Sequence, residues 1–238
     1  MLELSGPENY SENWAGESDL LEKNNTYEKL AKLAPSGNTI EFGCGVGNGT
    51  VHLSKGRKVL SLDNNKGLIE KAKSRLNDAG IEHQIHECDF FNFSDSDKKL
   101  FREFRPKVIA GWFIGSHGQD IFKHTEEEPH PIVKSKLYRE KIEDIIISSD
   151  VCVESVEYIH LAIRGELFKG LTEDVIFNST KDDYDTYVFD RIGFEVIEVE
   201  NFKWVQVNSE FLYGQAHNPN IAEGETVPMI TSIVAKKK

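Results

Sequence analysis

Short apolar runs alternate with longer amphipathic ones along the 238-residue chain, and this alternation sets the expected architecture. Thr39–Phe42, Lys58–Asp63, Glu82–Cys88, Lys107–Phe113, Val156–Arg164 and Phe194–Val199 have the length and the β-branched or aromatic content of strands. The intervening segments change period. Asn24–Ala34 places Tyr27, Leu30, Ala31 and Ala34 at helical spacing before Pro35-Ser36-Gly37 stops it. Asn48–Lys55 is a short helix ended by Gly56, and Asn65–Ala79 is the clearest, with Leu68, Ile69, Ala72 and Leu76 on one face. A short helix leads to Phe104, and Ser135–Ser148 is amphipathic through Leu137, Ile142, Ile145 and Ile146. Thr172–Thr180 reads as a loop or short helix, and Asp182–Gly193 as a helix with a glycine stop.

The end of the chain breaks the alternation. Phe202–Phe211 is rich in β-formers, and Met229–Ala235 is a final strand, joined to it through a polar loop holding Pro219, Gly224 and Pro228. Parallel neighbours need a crossover, usually a helix, and none is visible, so the last pair is expected as an antiparallel hairpin. The whole reads as one α/β domain: a seven-stranded, mainly parallel sheet with an antiparallel C-terminal strand and helices on both faces. Residues 1–37 form a helical cap and 38–238 the main body, with a lid-like, irregular loop near 114–134, where Pro129 and Pro131 stand.

The first strand runs into Gly43-Cys44-Gly45-Val46-Gly47-Asn48-Gly49, a tight turn opening a helix. Glycines let a main chain approach a ligand closely and leave the helix's first N–H donors uncovered. A dinucleotide site would show G-x-G-x-x-G, but counting from Gly43 puts Asn48 at its last glycine, and counting from Gly45 puts Thr50 there. Glu41-Phe42-Gly43-Cys44-Gly45-Val46-Gly47 instead resembles the first motif of class I, Rossmann-like, S-adenosylmethionine (SAM) dependent methyltransferases, an acidic residue two before a G-x-G-x-G. The antiparallel ending is likewise characteristic of that family. The resemblance spans roughly Thr39 to the carboxyl terminus and is strongest through Phe90. It implies methyl transfer from SAM, with S-adenosylhomocysteine as product, and a cofactor site that includes Glu41, Gly43, Cys44, Gly45 and Gly47.

Other candidate positions follow along the chain. Asp63 closes the second strand, where a carboxylate can accept hydrogen bonds from both ribose hydroxyls, with Asn64 beside it; capping of the next helix is the alternative role. By resemblance Asp89 contacts the adenine amine and Phe90 packs on the ring, while Tyr10 and Trp14 in the cap reach the methionine end. Gly111 lets the methionine moiety approach, and Trp112 or Phe113 walls the pocket. His117, in the loop after the fourth strand, has the character of a general base. His117, Asp120, His124, Glu126, Glu127, Glu128 and His130 include metal-ligand types, but their spacing matches no named site and no metal is expected. His160 lies within a strand's alternation and is assigned no function.

Charge narrows the acceptor. A formal net charge of −12 is opposite to the basic footprint of most nucleic-acid binders, and Lys236-Lys237-Lys238 is the sole basic cluster. Families that methylate exocyclic base amines carry an Asn/Asp/Ser-Pro-Pro-aromatic tetrapeptide after the fourth strand, which this sequence lacks, so DNA is a poor acceptor. A small molecule, with amines among the candidates, is the favoured acceptor; protein or RNA acceptors remain as alternatives, as does a SAM-binding regulatory protein without catalysis. No apolar run approaches the ~20 residues of a membrane span. Cys44, Cys88 and Cys152 lie far apart, and the amino terminus lacks a secretory pattern, which together suggest reduced thiols in a cytoplasmic protein. The oligomeric state is not encoded in any pattern here.

Overall fold

The computed structural model describes residues 4–207, 209 and 224–238. Its centre is a seven-stranded sheet ordered β3-β2-β1-β4-β5-β7-β6. The strands are β1 (Thr39–Phe42), β2 (Val59–Asp63), β3 (Gln84–Glu87), β4 (Val108–Trp112), β5 (Tyr158–Phe168), β6 (Phe194–Lys203) and β7 (Thr226–Lys237). Pairings among β1 to β5 are parallel, whereas β7 inserts between β5 and β6 and runs antiparallel to both. Every residue of β1, β2 and β4 is buried, as expected of parallel strands covered on both faces.

The helices are α1 (Pro7–Lys23), α2 (Thr26–Leu33), α3 (Asn48–Leu53), α4 (Lys66–Asp78), α5 (Asp95–Phe104), α6 (Gly118–His124), α7 (Pro131–Ile146) and α8 (Glu173–Tyr184). They supply two apolar layers. Phe101, Tyr138, Ile142 and Tyr184 pack with Ile40, Phe42, Ile109 and Ile159 on one face of the sheet. Trp14, Leu21, Leu30, Leu53 and Leu68 pack with Ala110, Trp112 and Ile230 on the other. Adjacent residues of β4 thus serve opposite layers, the period of two on which strand patterning rests.

The helices and strands read from periodicity are present with ends shifted by a few residues, and the larger departures have physical causes. The single helix expected over Asn24–Ala34 is α2 alone; Asn25, at φ 56°, turns the chain from α1 into it, and asparagine tolerates that left-handed geometry. Gly165 does not end β5: the strand continues to Phe168 because β7 pairs with it over its whole length, Gly165 opposite Met229. The two segments expected between residues 172 and 193 merge into α8, prolonged by a π-helical turn over Asp185–Phe189 and a 3-10 turn over Asp190–Ile192. The antiparallel pair is β6 with β7, with a register shift between Val196 and Glu198. Trp204–Gln206, inside the strand expected to reach Phe211, is irregular, and Phe211 and Pro219 lie outside the described residues.

Residues 114–134, expected as an irregular lid, contain α6 and the start of α7. The α6 helix is tied down at both ends. Gly118 N donates to Ser5 Oγ (2.9 Å) and Gln119 N to Ser5 O (3.3 Å). On the other side Lys141 Nζ donates to His124 O (2.8 Å), and Lys134 Nζ donates to Thr125 O. Lysines on the carbonyl end of a helix satisfy its orphan acceptors, which is why α6 holds its form despite having seven residues.

Candidate cofactor cleft

The carboxyl ends of β1, β2 and β4 open onto one cleft of about 550 Å³, the position where open α/β sheets take ligands. Gly43, Asp63, Asn64, Phe90 and Trp112 line it from the sheet side, and Tyr10 and Trp14 from α1. Leu68 of α4 and Tyr138 and Ile142 of α7 complete its walls.

The glycine turn is built by positive φ at Gly43 (74°), Gly45 (54°) and Gly47 (86°). Each absence of a side chain serves a different end. A Cβ on Gly43 would meet no atom within 4 Å, so bare main chain faces open space there. One on Gly45 would lie 2.5 Å from Trp14 Nε1, so the indole occupies that space. One on Gly47 would lie 3.0 Å from Ala72 Cα, so this glycine lets α3 pass close to α4 and does not line the cleft. Four amides ahead of the helix are spent internally, while no side chain caps the first N–H groups of α3. Gly43 N (2.9 Å) and Cys44 N (3.0 Å) both donate to Leu62 O, Gly47 N donates to Cys44 O (2.9 Å), and Gly45 N donates to Asp63 Oδ2 (2.9 Å).

Asp63 therefore locks the end of β2 to the turn after β1. Its Oδ1 accepts from Asn65 N (2.9 Å), and Cys44 Sγ lies 3.9 Å from Oδ2. Burial pushes this carboxyl up to about 6, opposed by the amide donors. An ionised carboxylate offers about four acceptor positions, so the two main-chain amides and the weak Cys44 thiol do not exhaust it. The helix-capping role weighed against it belongs to its neighbour: Asn65 Oδ1 accepts from Gly67 N and Leu68 N at the start of α4.

Glu41 sits behind the cleft in an adjoining cavity of about 280 Å³ with Cys44, Gly49, Tyr27 and the two tryptophans. Its Oε2 accepts from Thr50 Oγ1 (2.6 Å) and Ser61 Oγ (2.7 Å), binding β1 to α3 and β2, while burial raises the carboxyl to about 7. Burial, with Asp63 and Glu41 nearby, also raises the Cys44 thiol, so the thiol stays protonated.

Three further expected positions take other roles. Asp89 is exposed and accepts from Phe91 N (3.0 Å), closing an Asx turn; neither cavity includes it, whereas the buried Phe90 beside it lines the cleft and packs on Phe42 at 5.2 Å between centroids. A Cβ on Gly111 would meet Ile114 Cδ1 at 2.9 Å and Ile146 Cδ1 at 3.1 Å, so its smallness serves side-chain packing rather than a ligand's approach. His117 caps α6, its Nδ1 accepting from Asp120 N (3.3 Å), and lines neither cavity. Trp112 faces the cleft and is oriented from behind: its Nε1 donates to His160 Nδ1 (3.3 Å), and His160 Nε2 then donates to Ser232 Oγ (2.8 Å). Burial depresses His160 to about 3, so it is neutral and its tautomer is set by this chain.

Sequence reasoning missed Tyr138 and Ile142, because nothing in a helical stripe tells a core position from a cleft wall. It also missed Arg164, whose guanidinium lies over the rings of Trp14 (4.9 Å), Phe113 (5.5 Å) and Trp204 (5.6 Å), joining α1 to β5 and to the segment after β6. Phe113 reaches that position through φ 58°, an uncommon geometry for a bulky residue that turns the chain so that Ile114, Gly115 and Ser116 edge the cleft. Among the described residues no group of three or more His, Cys, Asp or Glu side chains is arranged to hold a metal.

Neither a protein-family model nor a curated protein matches the chain. Solved structures do. The N-methyltransferase NodS from Bradyrhizobium japonicum WM9, in complex with S-adenosyl-L-homocysteine, is 9% identical over 90% of this chain and 86% of its own, with a TM-score of 0.51. The magnesium protoporphyrin IX methyltransferase ChlM from Synechocystis PCC 6803, with bound SAM, is 11% identical over 94% and 81%, TM-score 0.47. A putative RNA methyltransferase, PH1948 from Pyrococcus horikoshii, is 10% identical over 90% and 83%, TM-score 0.47. With β7 inserted antiparallel beside β6 and a glycine turn after β1, the chain has the three-layer Rossmann-like fold of class I SAM-dependent methyltransferases.

Proposed function

We propose that the protein is a SAM-dependent methyltransferase acting on a small molecule. The observation that carries this is the bare face of Gly43, opening into a cleft it shares with Asp63 and Phe90. The residues fit the cofactor. Phe90 offers a ring face to the adenine, Asp63 its spare acceptors to the ribose hydroxyls, and Gly43, Tyr10 and Trp14 surround the space left for the methionine end.

When bound, SAM supplies an electrophilic methyl group on a sulfonium. The chain's own contribution is positioning: well-held reactants gain up to roughly 7–11 kcal/mol of the barrier. Tyr10 and Trp14 roof the cleft from α1, so their removal of water and their fixing of the reactants are the same act. A cleft roofed by a helix suits a small acceptor better than a polymer, and a net charge of −12 opposes approach of a phosphate backbone.

The test is release of S-adenosylhomocysteine when purified protein is incubated with SAM and a small-molecule filtrate of a cell lysate. Product is expected with the wild type and not with Asp63→Ala. Tight SAM binding with no product from filtrate or whole lysate contradicts catalysis and leaves a regulatory binder.

A further inference from the structure

Asn65 is buried, lines the cleft between Asp63 and α4, and does more than cap the helix that follows it. Its main-chain N–H donates to Asp63 Oδ1 (2.9 Å), and its carbonyl accepts from Ile69 N (3.0 Å). The side-chain oxygen accepts from Gly67 N (3.0 Å) and Leu68 N (3.3 Å). Those two donors fix which way the amide faces, and its nitrogen, pointing the other way, donates to Pro7 O (3.1 Å) in the first turn of α1. One side chain thus joins the acid at the end of β2, the start of α4 and the start of the helix that roofs the cleft.

The two halves of α1 are held differently. The carboxyl-terminal half is pinned by a network of side chains. Ser18 Oγ lies 2.8 Å from Tyr27 Oη, Asn48 Nδ2 donates to Ser18 Oγ (3.0 Å), Arg75 pairs with Asp19 (3.0 Å) and His52 with Glu22 (2.9 Å). The amino-terminal half carries Tyr10 and Trp14. It is held by the bond from Asn65, by the Arg164 guanidinium over the Trp14 ring and by the Glu12–Lys71 pair (2.9 Å), which is largely exposed and so contributes little.

Resting on the methyltransferase reading, we propose that Asn65 is a positioning residue that couples ribose binding at Asp63 to closure of the amino-terminal half of α1, the carboxyl-terminal half being the fixed end. A ligand that reaches Gly43 and Asp63 passes under Tyr10 and Trp14, so this half of α1 yields on entry and on release. With the ribose on Asp63, the hydrogen bonds from Asp63 to Asn65 and from Asn65 to Pro7 hold cofactor and roof in one chain. Losing the last of these bonds frees the roof without touching the ribose acceptors.

The experiment compares the wild type with Asn65→Ser and Asn65→Asp. Both replacements keep a good helix cap and the main-chain N–H to Asp63, and both remove the donor to Pro7 O. Release of S-adenosylhomocysteine in stopped-flow measurements is expected to be about three- to tenfold faster in each, the worth of one lost hydrogen bond. Hydrogen exchange of the ligand-free protein supplies a readout that a merely structural role would not move. Amides of residues 10–14 should exchange faster in both variants, while Gly67, Leu68 and residues 18–23 keep wild-type rates. Asn65→Ala, which loses the cap as well, should speed exchange at residues 10–14 and at Gly67 and Leu68 together. Should one of the two capping variants not fold, the other decides. Release at the wild-type rate, or exchange that rises at Gly67 and Leu68 in the capping variants, overturns the inference while leaving cofactor binding intact. Failure of S-adenosylhomocysteine to bind the wild type overturns the cofactor reading, and this inference with it.

Discussion

Both oxygens of Asp63 already accept main-chain amides, from Gly45 and Asn65, and that double duty shapes what a substitution does. Asp63→Ala removes the proposed ribose acceptors and also leaves two buried donors unpaired, each worth about 1–3 kcal/mol. SAM affinity is therefore expected to fall at least thirtyfold in calorimetry, and the thermal midpoint to drop with it; unchanged affinity contradicts the assignment. Protonation offers a gentler probe. With this carboxyl near 6, the competent ionised form is about a tenth of the population at pH 5. The dissociation constant for SAM should be flat above pH 7 and about tenfold weaker at pH 5, and a flat profile to pH 5 would remove Asp63 from the site. The two glycines make a second pair. Gly43→Ala places its methyl in the cleft and should weaken SAM binding, with a stability cost of about 1–2 kcal/mol from φ 74°. Gly45→Ala meets Trp14 and should lower stability more, which paired melting curves and titrations would separate.

At the scale of elements, α1 is both roof and wall. Its Trp14 fills the face of Gly45, lines the cleft and lies under Arg164, so the helix is held from the sheet side as well as by its own apolar contacts. Trp14→Ala is expected to cost about 3–5 kcal/mol in denaturant unfolding and to speed SAM release in stopped-flow measurements. Release at the wild-type rate would mean that α1 does not gate the cleft. This element also shows the limits of sequence. The apolar stripe of α2 was legible, and so was the presence of Tyr10 and Trp14 in a cap, but not the continuous α1, whose buried Ser11, Glu17 and Ser18 blur its periodicity. The strands, the glycine turn and Asp63 were legible because each follows from local composition. The positions of Asp89, Gly111 and His117 were not, because whether a residue at a strand end faces ligand, solvent or core is decided by neighbours distant in sequence. Gly111 answers to Ile146 and Leu161, and His117 to the short helix it caps.

For the molecule as a whole, the buried acids set the pH response. Folded Asp63 rises to about 6 and Glu41 and Glu143 to about 7, all chiefly through burial. Carboxyls raised on folding contribute stability that is complete below their unfolded values, near 4, and lost as pH rises through the folded ones. A net charge of −12 acts in the same direction through self-repulsion. The ligand-free protein should therefore melt at a higher temperature at pH 5.5 than at pH 8 in scanning calorimetry; a higher midpoint at pH 8 would contradict these shifts. On the proposed reading SAM reverses the balance at its own site, since it would need the ionised Asp63 that folding alone disfavours. The most direct measurement is isothermal titration of the protein with SAM and, separately, with NADH at pH 7.5. One equivalent of SAM bound, with no heat from NADH, is the expected result; NADH bound in preference, or no SAM bound at all, would contradict it.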